Sequence, residues 1–385
     1  MKHLYEHRPT QAIIDLDKFQ SNIKVIQNRM SSDQILYAVV KADAYGHGAY
    51  PLSKVALEAG ASGLAVATVD EAIHLRRLGI DRVPILVLGL TDPRGIAELL
   101  LYKITVAVSN LSFFAQAYQQ LVDTNSLSLL EQNHLSFHLA LDTGMGRIGL
   151  RSRQEIEDFV KGLEDYPWIS WQGVFTHFST IGGGPQSYVE NQWKLWVEWQ
   201  ELIPESVKLR HYANSAMGLW QNRLPESTIV RYGIAMYGLD PKDQFPAPDS
   251  IEPILSLVSE IVYVKEVVAG SKISYGATYT AEEDQWIATI PIGYADGWLR
   301  HYKDFPVLVD GHACPIVGVI NMDQLMIRLP KYYPIGTNVT LIGKDGNLIN
   351  HPSQMAKQIN TIGYEILTSL SKRIPRVYIK ETCNE

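Results

Sequence analysis

A chain of 385 residues is long enough for two domains, or for one large barrel with an addition. With 46% hydrophobic and 19% charged residues it carries too much apolar side chain to be mainly disordered. Its formal charge of −7, from 34 Lys+Arg against 41 Asp+Glu, gives no whole-molecule attraction for phosphate backbones and argues against nucleic acid as a partner.

From residue 35 to about 233, eight short apolar runs read as strands: 35–40, 63–68, 84–89, 105–109, 136–141, 173–177, 209–214 and 229–233. Several are apolar almost throughout, the pattern of a parallel sheet covered on both faces. Between them, 50–59, 69–78, 111–121, 154–163 and the Trp-rich 187–202 carry apolar residues three and four apart and read as helices, with Gly79 placed to stop the second. Strands alternating with helices in this way suggest a (β/α)8 TIM-type barrel, with an open doubly wound sheet as the alternative. A Pro-rich linker at 244–253 follows. Short runs at 255–264, 272–275, 286–290, 306–309, 314–320, 325–329 and 338–342, separated by Gly, Pro and Asp-Gly turns, then predict a mainly antiparallel β domain, with a helix over 353–359. The expected division is a barrel over 1–243 and a β domain over 244–385.

Two cysteines, Cys314 and Cys383, make no disulfide framework. The first residues lack the apolar core of a signal peptide, and no apolar stretch is long enough to span a bilayer. The reading is a soluble, cytoplasmic chain.

In a parallel barrel, functional residues gather at the C-terminal ends of the strands. There stand Lys41, the Asp142–Gly149 stretch with Arg147, then His177, Asn214 with Ser215, and Arg231 with Gly233 and Ile234. Converging on one rim, they suit a phosphorylated or carboxylated small molecule. Each also has an ordinary structural role open to it. Lys41 could extend into solvent, His177 could be a satisfied core histidine, and the arginines could be ion-pair residues. Gly144-Met-Gly146-Arg-Ile-Gly149 matches a dinucleotide pattern and keeps an oxidoreductase among the alternatives. His134 and His138 lack a third ligand, so no metal site is expected.

Ala38-Val-Val-Lys41-Ala-Asp-Ala-Tyr45-Gly-His-Gly48 resembles the lysine motif of the alanine racemases. The resemblance continues, in order, through Asp142–Gly149, His177-Phe, Asn214-Ser215, Arg231-Tyr-Gly-Ile-Ala-Met-Tyr-Gly238, Lys272-Ile-Ser-Tyr275-Gly-Ala-Thr-Tyr, Gly293-Tyr294-Ala-Asp-Gly297, Asn321-Met322-Asp323-Gln and Tyr364-Glu-Ile-Leu. It covers nearly the whole chain. It implies a pyridoxal 5′-phosphate (PLP) enzyme that interconverts L- and D-alanine, supplies D-alanine for peptidoglycan and works as a head-to-tail homodimer.

Residue by residue, the resemblance implies that Lys41 holds PLP covalently and is the base for D-alanine, with Tyr275 the base for L-alanine. Tyr45, Ser215, Gly233, Ile234 and Tyr364 match the phosphate-binding set, and Asn214 lies beside them. Arg231 would face the pyridine nitrogen, and His177 would lie against the ring and bridge Arg231 toward Tyr275. Arg147 and Met322 would meet the substrate carboxylate. Tyr294, Tyr364, Asp323 and Arg300 would line or support the entrance. Tyr275 and Met322 would come from the partner subunit. A free tyrosine, with a pKa of ~10, is a poor base at neutral pH, so its surroundings would have to activate it.

Two positions depart from the family pattern. Ala140 stands where many members have a lysine that pairs with the arginine matching Arg147, and Gly182 stands where an aspartate is common, leaving Arg300 less well paired. Other readings are a racemase or decarboxylase for a larger amino acid and a PLP-binding protein without catalysis.

Overall fold

The computed structural model describes residues 7–181, 183–220, 227–243, 247 and 251–380. The described chain forms two compact units. One comprises the described parts of 22–44 and 49–236. The other comprises the described parts of 1–21, 45–48 and 237–385. The sequence suggests one boundary near 243, whereas the chain passes between the units at 21/22, 44/45, 48/49 and 236/237.

The chain opens with strand β1 (Gln11–Asp15), which belongs to the second unit, and helix α1 (Leu16–Gln27). The first unit then carries eight parallel strands. They are β2 (Ile35–Val39), β3 (Gly63–Val66), β4 (Ile85–Leu90), β5 (Thr105–Val108), β6 (Leu135–Ala140), β7 (Ile169–Phe175), β8 (Leu209–His211) and β9 (Ile229–Tyr232). Their ladder runs β8-β7-β6-β5-β4-β3-β2-β9. Its two ends are joined by Thr228 N–H donating to Arg210 O (2.8 Å) and Arg231 N–H donating to Ala213 O (3.0 Å). Those bonds bring the sheet round into a nearly closed barrel, which decides against the open doubly wound alternative.

Every residue of β3, β5 and β9 is buried, as expected for strands enclosed on both faces. The intervening helices are α2 (Ala49–Glu58), α3 (Val69–Arg77), α4 (Ile96–Leu101), α5 (Ser112–Asp123), α6 (Arg153–Gly162), α7 (Gln186–Gln200) and α8 (Ser215–Trp220). Side-chain caps fix the starts of several. Thr68 and Glu71 form a reciprocal capping box on α3, and Ser152 accepts from Glu155 N–H on α6.

The second unit is mainly antiparallel. Its larger sheet contains β1, β10 (Leu255–Glu260), β15 (Val307–Val309), β16 (His312–Cys314), β19 (Asn338–Asp345), β20 (Leu348–Asn350) and β21 (Arg376–Ile379), and only the β1/β21 pair is parallel. A second sheet orders β11 (Tyr263–Val267), β14 (Gln285–Ile290), β18 (Leu325–Leu329) and β17 (Ile316–Val317) as β11-β14-β18-β17. Strands β12 (Lys272–Ile273) and β13 (Tyr279–Thr280) form a hairpin. Helix α9 (Pro352–Gln358) fulfils the expectation over 353–359, and α10 (Gly363–Ser369) was not foreseen.

The differences from the sequence reading have local causes. Pro315, which has no N–H, separates β16 from β17 within the run 314–320. The run 272–275 ends early because Ser274 lies at φ +72° and Tyr275 opens a single 3-10 turn. Most of the expected linker, together with Gly182 and Cys383, lies outside the described residues. No helix among the described residues is long and apolar enough to cross a membrane.

Candidate active site

The barrel unit presents Lys41, Arg147, His177, Asn214, Ser215, Arg231, Gly233 and Ile234 after the ends of its strands or, for Arg231, within the last one. Lys41 follows β2 and is half-buried. Past it the chain makes a left-handed turn, with Ala42, Asp43, Ala44 and Tyr45 at φ 51°, 53°, 53° and 54°. Left-handed geometry costs an L-residue roughly 1–2 kcal/mol, so the turn must be held from outside. Glu71 supplies one hold: its carboxylate accepts from Ala42 N–H (2.6 Å), Ala67 N–H (2.8 Å) and Thr68 N–H (3.2 Å). Asp43 supplies another by accepting from Ala49 N–H (2.8 Å). Burial and then Arg147 push the Lys41 pKa down from its ordinary value, while Glu71 opposes them. The environment therefore favours the neutral amine that a nucleophile or base requires.

Arg231 is buried and its hydrogen-bond partners are all neutral. It donates to His211 Nδ1 (2.5 Å), Thr176 O (2.9 Å) and Tyr212 O (3.3 Å). Burial and then Arg147 bring its pKa down to about 9, so it stays a cation at neutral pH. Because the guanidinium only donates, His211 accepts at Nδ1 and carries its proton on Nε2, directed at His138 Nδ1 (2.8 Å). Burial holds both histidines neutral, with Arg231 adding to the effect, and His138 falls to about 3. The ring of His211 stacks on Phe175 with centroids 5.2 Å apart.

His177 is also neutral, pushed down to about 3 by burial first and then by Arg231, Arg147 and Lys41. Its ring meets Asn214 Nδ2 at 3.5 Å, and the histidine that Arg231 bonds is His211. Ser215 Oγ accepts from Gly233 N–H (2.8 Å), which leaves its own proton to donate elsewhere. Arg147 is exposed and has no ion pair among the described residues. The side chain at Ala140 packs in an apolar cluster with Ala107, Phe175 and Ile148 and offers Arg147 no charged partner.

The loop carrying Arg147 explains the Gly-x-Gly-x-x-Gly pattern. Gly144, Gly146 and Gly149 lie at φ +141°, +71° and +122°, and Asp142 Oδ1 accepts from the N–H of Gly144 (3.1 Å) and Gly146 (2.8 Å). These are the glycines of a tight self-bonded loop. His134 and His138 hold no metal cluster, and no group of three metal-ligand side chains occurs among the described residues.

The second unit carries the remaining candidates. Tyr45 and Tyr364 have ring centroids 6.0 Å apart. Burial, foremost, pushes both hydroxyls up, and for Tyr364 the neighbours Tyr45, Asp243 and Asp240 add to it, so both remain O–H donors. Asp243 fixes the start of the Tyr364 helix by accepting from Gly363 N–H (3.0 Å) and from Ser353 Oγ (2.9 Å). Tyr275 is 76% exposed and Met322 is 54% exposed. Tyr294 and Met322 are fastened together through Tyr294 N–H to Asn321 O (3.1 Å) and Ala295 N–H to Met322 O (3.0 Å). Behind them, buried Asp296 pairs with Arg8 (2.7 Å) and Arg373 (3.4 Å), and Arg373 reaches Asp323 (2.7 Å). Arg300 is exposed and has no ion pair among the described residues.

Sequence reasoning missed Glu71 and His211. Glu71 looks like an ordinary first-turn acid, and His211 is hidden inside an apolar run. Their roles appear only when the elements meet.

The barrel rim brings together three basic side chains, Lys41, Arg147 and Arg231, with Glu71 as the carboxylate beside them. Buried hydroxyl Ser215 and the neutral partners of Arg231 complete it. Such a donor set fits an anionic, phosphorylated aromatic cofactor such as PLP, with the lysine available for covalent attachment.

The family description "Alanine racemase, N-terminal domain" matches residues 14–241, and "Alanine racemase, C-terminal domain" matches residues 254–378. The alanine racemase of Ligilactobacillus salivarius (strain UCC118) is 45% identical over 374 residues, spanning 97% of this chain and 98% of that protein. The crystal structure of alanine racemase from E. faecalis superposes with a TM-score of 0.91 at 42% identity, covering 97% of this chain and 99% of that one. A histidine racemase from Leuconostoc mesenteroides subsp. sake superposes with a TM-score of 0.87 at 31% identity, covering 98% of this chain and 100% of that one.

Proposed function

This chain belongs to the alanine racemase family and is an amino-acid racemase, and we propose that it interconverts L- and D-alanine with PLP, using Lys41 and Tyr275 as the two bases. The observation that carries the reading is Lys41 itself. It is a half-buried lysine after the first barrel strand, on the same rim as Arg147 and Arg231, in a chain of this family. PLP, when bound, draws electrons from the amino acid and so makes its Cα–H acidic.

The residues of the chain have distinct tasks in this reading. The Ser215 hydroxyl, the N–H of Ile234 and the hydroxyls of Tyr45 and Tyr364 would hold the phosphate, with Gly233 orienting Ser215 through its N–H and Asn214 beside them. Arg231 would donate to the ring nitrogen and, because it keeps its proton, would leave that nitrogen unprotonated. His177 would lie against the ring. Arg147 and the N–H of Met322 hold the substrate carboxylate. Lys41 takes or returns the Cα proton on one face and Tyr275 does so on the other. Tyr275 and Met322 come from the partner subunit of a homodimer, a role their exposure suits. Tyr294, Tyr364, Asp323 and Arg300 line or support the entrance and keep the substrate small. The product serves cell-wall peptidoglycan, and the enzyme works in the cytoplasm.

The test begins with L-alanine and PLP in deuterated buffer, where deuterium should appear at Cα together with D-alanine. Lys41→Ala should abolish both turnover and the yellow colour of bound PLP. The two enantiomers are equal in free energy, so kcat/KM must remain equal in both directions whichever residue is changed. The bases are therefore told apart by exchange. Tyr275→Phe should stop deuterium entering L-alanine while D-alanine still exchanges with retention, and normal exchange from both enantiomers would refute the assignment.

A second reading, a racemase for a bulkier amino acid, is favoured by the histidine racemase among the structural neighbours. Tyr294 and Tyr364 at the entrance oppose it. Turnover of histidine, lysine or serine at or above the alanine rate would reverse the choice.

A further inference from the structure

Helix α7 runs beside the two rim loops that carry Arg147 and His177, and one of its side chains joins them. Gln192 is buried, with 1% exposure. Its Oε1 accepts from Ser179 N–H (3.0 Å) and Ser179 Oγ (3.1 Å). Its Nε2 donates to Thr143 Oγ1 (3.3 Å) and to His177 O (3.1 Å). The backbone N–H of Ser179 can only donate and the carbonyl of His177 can only accept, so a single orientation of the amide serves both. All four hydrogen-bonding positions of the glutamine are filled.

The four bonds divide between the loops. Ser179 and His177 belong to the loop after β7, and Thr143 lies in the loop after β6 that carries Arg147. Thr143 Oγ1 also meets Thr176 Oγ1 (2.8 Å), and Thr176 O accepts from Arg231. One turn earlier on α7, Tyr188 donates its hydroxyl to Gly144 O (2.6 Å). A Cβ at Gly144 would come within 3.1 Å of Gln192 Cγ and 3.2 Å of Tyr188 Oη, so the loop fits closely under the helix.

We propose that Gln192 is a positioning residue for the reaction: its amide fixes the His177 loop and the Arg147 loop in one register, so that the group against the cofactor ring and the group for the substrate carboxylate are set together. The inference rests on the roles given above to His177 and Arg147. An apolar side chain in its place would leave the Ser179 N–H, the His177 carbonyl and the Thr143 hydroxyl to find other partners. The loops would then settle independently, and the register between ring and carboxylate would be lost.

The experiment compares the PLP-bound wild-type protein with Gln192→Met, Thr143→Val and the double variant. The readouts are kcat and KM for alanine, the visible circular dichroism of bound PLP, and the thermal midpoint of each protein with and without PLP. Gln192→Met should lower kcat/KM about tenfold, the equivalent of one lost hydrogen bond. Most of that loss should fall in KM, and the cofactor dichroism should weaken. Thr143→Val should reproduce part of the KM effect, and the double variant should be little worse than Gln192→Met, because both cut the same connection. A Gln192→Met enzyme with a lower thermal midpoint but unchanged kinetics and dichroism per folded molecule would overturn the proposal and leave the residue a structural one. Fully additive effects of the two substitutions would also overturn it. If the wild-type protein binds PLP without racemising alanine, the functional reading fails, and the dichroism comparison still decides the role of Gln192.

Discussion

The carboxylate of Glu71 accepts from Ala42, the residue after Lys41, and its charge acts on the lysine's proton. Burial and Arg147 lower the Lys41 pKa and Glu71 raises it. Glu71→Gln keeps one acceptor oxygen for the turn but removes the only one of these causes that raises the value. The pKa of Lys41 should therefore fall further, and more of the amine should be neutral at a given pH. Recombination of PLP with the cofactor-free protein, followed against pH, should show its midpoint displaced to lower pH in Glu71→Gln. A midpoint that stays or rises would contradict the electrostatic account. Residues of this kind explain what the sequence hides. Lys41, His177 and Arg231 stand out because each interrupts or ends an apolar run. Glu71 and Gln192 sit on amphipathic helices, where polar side chains need no explanation, and only the packed loops show what they hold. His211 is masked by its strand, and the link to His138 depends on β6 and β8 lying either side of β7 in the barrel.

At the level of elements, the loop between β6 and α6 is shaped by its own backbone. Asp142 N–H donates to Leu150 O (2.8 Å) and Leu150 N–H donates to Ala140 O (3.0 Å), so the segment closes at its base with Arg147 beyond. Gly149 is part of that closure at φ +122°, and a Cβ there would lie 2.5 Å from Asp142 N. Gly149→Ala should cost roughly 1–3 kcal/mol of local stability. It should raise KM for alanine several-fold, while PLP still binds through the other strand ends; a KM within twofold of wild type would show that the loop does not place Arg147. The barrel strands were legible because parallel strands covered on both faces are apolar throughout, and the helices because their caps and periodicity are local. Strand β1 was not, because its partners are distant: Gln11 pairs with Val258 and Ala12 with Arg376. Nothing near residue 11 announces a strand whose sheet is completed by the end of the chain. The G-x-G-x-x-G pattern was visible but ambiguous, since left-handed glycines serve a self-closed loop and a phosphate-binding turn equally well.

For the whole molecule, the proposal that two subunits share each site makes a quantitative demand. Tyr275 sits on a short 3-10 turn after Ser274, whose φ of +72° and ψ of 175° are strained for a residue with a Cβ. Ser274 Oγ holds that geometry by accepting from Val319 N–H (3.1 Å) and donating to Val319 O (3.1 Å). An exposed aromatic fixed behind a strained serine in this way is more than a loose surface side chain, and it suits a residue presented to another subunit. Lys41→Ala removes one base and Tyr275→Phe the other, so each homodimer should be inactive in racemisation. When the two variants are mixed and allowed to exchange subunits, half of the dimers become mixed. In a mixed dimer one site receives both substitutions and the other receives neither. Equal mixing should therefore restore about a quarter of the wild-type racemase activity, approached at the rate of subunit exchange. If Lys41 and Tyr275 of the same subunit formed each site, every site in the mixture would still lack one base, and no activity would return however long the subunits exchanged.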